Sequence, residues 1–127
     1  GVDFKKLPDG EPLMQASADG RGFGSSGGVA SAVVNAIRRM EPNREVKVVS
    51  AEGLANCKKM LQLAKAGKYN GYLLEGMACP GGCIAGAGTI QPIKKTAASL
   101  EQMKTQAPFE ESMDTVYDVM LPILEKI

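Results

Sequence analysis

The sequence predicts a small α/β domain, a mostly parallel sheet flanked by helices. Three observations lead there. Helical and strand-like patterns alternate along the chain in the order helix, strand, helix, strand, loop, helix. The two strand-like runs, residues 45–50 and 71–77, are separated by a helix-length segment, as parallel neighbours require. The length, 127 residues, suits one core and leaves no room for two, so residues 1–127 read as a single domain.

The elements follow from local chemistry. Residues 1–28 carry Pro8, Pro12 and seven glycines and read as a long lead-in, irregular through residues 1–25. From Ser26, a candidate N-cap, Val29, Val33, Ile37 and Met40 fall at helical spacing until Pro42-Asn43 closes the run. Residues 45–50, EVKVVS, form a short β-branched strand. Gly53 opens a second helix with Leu54, Cys57, Leu61 and Ala64 on one face, lysines on the other, and Gly67 as its cap. Residues 71–77 make the second strand, and residues 96–106 a further helix. Met113, Val116, Tyr117, Met120, Leu121, Leu124 and Ile127 mark a last amphipathic helix, kinked at Pro122. Two strands make a thin sheet, so a third is expected from the lead-in, around residues 13–16.

Composition narrows the function. Lys plus Arg total 15 against 14 Asp plus Glu, a net charge of +1 that gives no electrostatic case for nucleic acid or an anionic membrane. No apolar run approaches the roughly 20 residues needed to span a bilayer. Three cysteines do not make a disulfide framework, and the odd count with no secretory pattern points to a reducing, cytoplasmic setting. With no histidine, chemistry must come from thiolates, carboxylates, lysines, backbone amides or a cofactor.

Two glycine-rich stretches stand out. Residues 22–27, GFGSSG, satisfy G-x-G-x-x-G and open a helix, but a dinucleotide site also needs a hydrophobic strand before and a strand-borne acid about 20 residues on. The preceding segment is polar, and Glu41 lies at a helix end, so a close backbone approach to something else is the better reading. Residues 77–83, MACPGGC, place Cys79 and Cys83 with three residues between them. That is not the C-x-x-C of a thioredoxin-type pair, and a structural zinc site lacks its other two ligands. Cys57 reads as a small side chain on an apolar helix face. A disulfide, a pair of free thiols in a turn, and half of a four-thiolate iron–sulfur cluster remain open. Bare backbone at Gly81 and Gly82 would favour the last, because amides can then approach the cluster's sulfurs.

MACPGGC followed by a glycine-rich run resembles the last cysteine motif of the iron-only hydrogenases. FGSSGGV at residues 23–29 resembles the family's F-G-x-T-G-G-V, with Ser26 in place of threonine. Asp3-Phe4 with Leu7-Pro8-Asp9 is similar to its D-F-x-x-L-P-D. VKVV at 46–49 followed by GLAN at 53–56 is similar to its V-K-V-A…G-L-G-N. The similarity runs from about residue 3 to about residue 90. It implies that Cys79 ligates a cubane iron of a 4Fe–4S cluster, and that Cys83 bridges that cubane to the two-iron subcluster of the H-cluster. Met77 would pack against the two-iron unit, Phe23 and Gly24 would wall it, and the two glycine loops would face one another across one pocket.

The family's G-G-G-Q-P is broken here by Gly86-Ala-Gly-Thr89, and its T-S-C-C-P and M-P-C-x-x-K motifs are absent. The resemblance therefore implies a C-terminal lobe cut at Gly1 from an oxidoreductase that interconverts protons and electrons with H2. Its partners would be the remainder of the catalytic domain and a redox protein such as ferredoxin. The cluster would be absent from this chain alone. The alternatives are an iron–sulfur relative without hydrogenase activity, serving cluster assembly or sensing, and a cluster-free protein-binding module. Elsewhere, Lys58, Lys59, Lys65 and Lys68 read as a solvated face, and Glu75 as a loop-ordering hydrogen-bond acceptor. Met40, Met60, Met103 and Met120 read as core or interface filler.

Overall fold

The computed structural model describes residues 2–8 and 15–114. The expected last helix falls mainly on residues 115–127, and part of the expected third strand on residues 13–14; both lie outside the described residues. Gln15 and Ala16 are not in a strand.

Two parallel strands form the sheet among the described residues: β1 (Lys47–Glu52) and β2 (Tyr72–Met77), in register from Lys47 opposite Tyr72 to Glu52 opposite Met77. The connection between them is helix α3 (Leu54–Lys65), which packs on both strands. Helix α2 (Gly28–Met40) packs on β2. Helix α4 (Ile93–Thr105) follows the cysteine loop and packs against a five-residue helix, α1 (Ala18–Gly22). The α/β class expected from the alternating pattern is present.

Helix α1 and a 3₁₀ turn at Phe4–Lys6 lie within the stretch expected to be irregular. The sequence ADGRG has little helix propensity. Its helix depends on partners distant in sequence. Ser17 Oγ accepts from the Gly20 amide at 3.1 Å, and the Ala18 and Asp19 amides donate to the Phe109 and Glu110 carbonyls. Asp19 also accepts from Asn35 Nδ2 on α2 at 2.9 Å and from the Ser112 amide at 3.3 Å.

Helix α2 begins two residues later than Ser26 and is capped differently. Gly27 is the cap residue and has no side chain to offer. The acceptor comes from β2: Glu75 Oε2 receives the Gly27 amide at 2.7 Å and Oε1 the Ala30 amide at 3.0 Å. Gly28 lets α1 and α2 touch; a Cβ there would lie 1.9 Å from the Gly22 carbonyl oxygen.

The buried stripes are offset from the apolar stripes read in the sequence. On α2 the buried residues are Ala30, Ala32 and Val34, whereas Val33 is partly exposed and Met40 is 71% exposed. Small Ala30 brings the helix close enough for Glu75 to reach its amide. Val29 and Val33 instead border an apolar groove of about 400 Å³ with Leu73, Leu74 and Met77. On α3, Met60 is buried and Cys57 half-buried, while Leu54 and Leu61 are exposed. Periodicity marks an apolar face correctly but does not say which part of it the rest of the chain covers.

Candidate functional site

Both strands end at the same edge of the sheet, and the site is built from the loops beyond it. β1 runs out at Glu52, and β2 runs out at Met77 directly into the cysteine loop. The Gly53 amide donates to the Met77 carbonyl at 2.8 Å, which ties the two strand ends together. Cys57, on the first turns of α3, sits beneath this junction with its Sγ 3.5 Å from the Ala51 and Met77 carbonyl oxygens.

The loop at residues 23–28 and the loop at residues 79–85 meet directly. The Ile84 amide donates to the Gly24 carbonyl at 3.1 Å, and the Ser26 amide to the Gly81 carbonyl at 3.4 Å. The two loops do face one another, as expected, but in backbone contact instead of across a pocket. Gly82 makes this approach possible. It is buried with φ 88°, and a Cβ on it would lie 2.6 Å from the Ser26 nitrogen and 2.7 Å from the Gly24 oxygen. The bare α-carbon at Gly82 therefore makes room for the chain itself. At Gly81 a Cβ would stand 3.1 Å from the Ala85 Cβ.

Cys79, Cys83 and Cys57 are all free thiols. Cys79 is half-buried and Cys83, which opens a 3₁₀ turn (Cys83–Ala85), is exposed. Gly86 runs close by; a Cβ there would sit 3.6 Å from Cys79 Sγ. Phe23 caps the C-terminal end of α1 and is 43% exposed. The structure thus joins Phe23 and Gly24 to the cysteine loop through the backbone. Met77 points elsewhere, into the groove between α2 and β2, which neither cysteine lines.

Two acids that anchor the junction carry it further. Glu75 is 8% exposed and fastens β2 to the head of α2, the hydrogen-bonding part expected of it. Glu52 was not foreseen. Its Oε2 accepts from the Gly81 amide at 3.1 Å. The nearby Ser26 hydroxyl, and after it the Gly81 amide, hold the Glu52 carboxyl below the usual glutamate range. The available signal was an acid at the last position of a strand, immediately before a glycine.

The donor chemistry fits one side of an iron–sulfur centre. A 4Fe–4S cubane takes four cysteine thiolates. Residues 79–83 offer two, one of them exposed, and no group of three or more His, Cys, Asp or Glu among the described residues is placed to hold a metal ion. Also among the described residues, no helix is long and apolar enough to cross a membrane.

Residues 1–87 match the model of the iron only hydrogenase large subunit, C-terminal domain. The periplasmic [Fe] hydrogenase large subunit of Nitratidesulfovibrio vulgaris is 34% identical over 122 residues, covering 73% of this chain and 28% of the relative. The NADP-reducing hydrogenase subunit HndD of Solidesulfovibrio fructosivorans is 30% identical over 139 residues, covering 87% and 23%. A probable cytosolic Fe-S cluster assembly factor of Culex quinquefasciatus is 33% identical over 93 residues, covering 65% and 20%. The chain spans less than a third of the length of each of these relatives. Their names divide between periplasm and cytosol, and between hydrogenase and cluster assembly. With the family model covering residues 1–87 and the motifs of both loops inside that span, the chain belongs to the iron only hydrogenase large subunit, C-terminal domain family.

Proposed function

We propose that this chain is the C-terminal lobe of an iron-only hydrogenase and supplies two cysteine ligands, Cys79 and Cys83, to its H-cluster. The observation that carries the reading is the direct seating of the cysteine loop on the residue 23–28 loop by the Ile84–Gly24 and Ser26–Gly81 hydrogen bonds. That seating would set the two thiols and the Phe23–Gly24 wall on one rim. Cys79 would hold a cubane iron from its half-buried position, and exposed Cys83 would serve as the bridging thiolate. Phe23 would exclude water at that rim, with Gly81 and Gly82 carrying the loop between the two thiols. When bound, the cluster supplies the electron chemistry that interconverts protons with H2. The remaining thiolates would come from the rest of the catalytic domain, and electrons from a redox partner such as ferredoxin. A reducing cytoplasmic setting accords with three free thiols.

The assembly-factor relative favours a second reading, an iron–sulfur protein of the same fold without hydrogen turnover. Anaerobic iron and sulfide reconstitution tests the shared part of both. This chain alone should take up substoichiometric iron, and a polypeptide that also carries the rest of the domain should take up the full cluster. A full cluster in the chain alone would overturn the proposal. Hydrogen evolution by the loaded longer protein separates hydrogenase from the second reading.

A further inference from the structure

Glu52, Gly81 and Ser26 are joined in a chain of hydrogen bonds. The Gly81 amide donates to the Glu52 carboxylate at 3.1 Å, and the Ser26 amide donates to the Gly81 carbonyl at 3.4 Å. Each member sits on a different segment: the end of β1, the loop before α2, and the middle of the cysteine loop. Gly81 lies midway between Cys79 and Cys83, so its position sets where both thiols stand. The cysteine loop has no buried side chain of its own, since its buried residue is Gly82. Half-buried Ile84 and Ala85 pack its end against α4, but at Gly81 there is no side chain to pack and placement comes from polar ties, of which hydrogen bonds to an ionised acceptor are the strong kind.

We propose that Glu52 is a positioning residue that fixes the cysteine loop against the residue 23–28 loop, setting where Cys79 and Cys83 stand relative to the Phe23–Gly24 wall. This rests on the ligand role proposed for those cysteines. Glu52 itself touches neither thiol in the described contacts; it acts through Gly81 and Ser26. Without it, the half-buried Gly81 amide loses its acceptor, and the tie left between Gly81 and Ser26 is the long 3.4 Å backbone bond.

The test uses the whole chain with its thiols reduced and labelled with ¹⁵N. In Glu52→Ala, exchange of the Gly81 amide should quicken by about tenfold, as expected for loss of a bond to a charged acceptor. Alkylation of Cys79 and Cys83 by iodoacetamide should rise severalfold relative to Cys57, an internal standard outside these bonds. Glu52→Gln keeps a carbonyl acceptor for Gly81 and should restore most of the protection and the alkylation ratio. Unchanged Gly81 exchange and unchanged alkylation in a folded Glu52→Ala chain would overturn the proposal, as would no rescue by Glu52→Gln. Should Glu52→Ala fail to fold by circular dichroism, Glu52→Asp decides instead. It shortens the side chain that reaches the Gly81 amide and should loosen the same two thiols to a smaller degree; no loosening would overturn the assignment. Iron uptake by the longer protein reads the ligand role separately. If Cys79 and Cys83 prove not to bind iron while Gly81 exchange still depends on Glu52, the ligand reading fails and the positioning geometry stands.

Discussion

Glu75 and Gly27 are 48 residues apart in sequence and joined by a 2.7 Å hydrogen bond, carboxylate to amide, at the head of α2. The second oxygen of the same carboxylate takes the Ala30 amide, so one side chain from β2 satisfies two of the orphan donors of a helix start. A negative group there also complements the positive end of the helix dipole. Glu75→Ala should cost about 2 kcal/mol, the scale of hydrogen bonds to a charged group at a largely buried position. Chemical denaturation followed by circular dichroism measures it. Glu75→Gln should lose less, because one oxygen acceptor remains.

Gly82 and Gly27 give a matched pair for separating strain from collision. Both have positive φ, 88° and 84°, but a Cβ on Gly27 meets nothing within 4 Å, whereas one on Gly82 meets the Ser26 and Gly24 backbone. Gly27→Ala should destabilise by about 1 kcal/mol, the cost of the left-handed conformation alone. Gly82→Ala should cost on the order of 3 kcal/mol, because overpacking adds to the strain. Equal losses would show that the two loops can part without penalty.

The three cysteines should divide by function. In the longer protein, Cys83→Ser should abolish hydrogen evolution and Cys79→Ser should lower iron content. Cys57→Ala should leave both near the parent level, since its thiol faces the Ala51 and Met77 carbonyls. Iron analysis together with gas chromatography of evolved H2 decides. Turnover surviving Cys83→Ser would remove the bridging role.

Arg39 at the end of α2 pairs with Asp114 and, at 3.3 Å, with Glu111. The Arg39 hydrogen bond holds the Asp114 carboxyl below its ordinary value. Unfolded Asp114 thus takes up its proton at a higher pH than folded Asp114. The stabilisation is complete above the ordinary aspartate range and lost as pH falls through the lowered folded value. The difference in thermal midpoint between the parent and Asp114→Asn should be steady near neutrality and shrink as pH falls below the ordinary aspartate range. Because the pair is partly exposed, added salt should shrink the difference.

Met60 and Leu61 test which face of α3 is covered. Met60→Ala should cost roughly 2–5 kcal/mol, as for other buried apolar truncations. Leu61→Ala should stay within about 0.5 kcal/mol, typical of a surface position.

These residues also show what could be read from sequence. The strands, α3 and the helix after the cysteine loop follow from β-branched runs, helical spacing and Gly67, because those signals are local. Both glycine loops stand out in the sequence by composition, and the structure gives Gly28 and Gly82 a packing role there. Helix α1 was not, since its stability comes from Ser17 and from carbonyls some ninety residues away. The part played by Glu52 was hidden for the same reason: a carboxylate's partner on a segment 29 residues away leaves no periodic trace. Gly82 was read as clearance for an inorganic group, but its bare α-carbon is needed first by the residue 24–26 backbone.

Among the described residues the buried apolar side chains are Ala30, Ala32, Val34 and Met60, and three of these belong to α2. None belongs to either glycine loop. Durability and shape are consequently written in different letters of this protein. Substitutions at these four positions act on the body of the fold, away from Cys79 and Cys83 in sequence. The spacing of the thiols answers instead to a handful of glycines and two acids, so a lineage could adjust the rim for a new task without rebuilding the body beneath it.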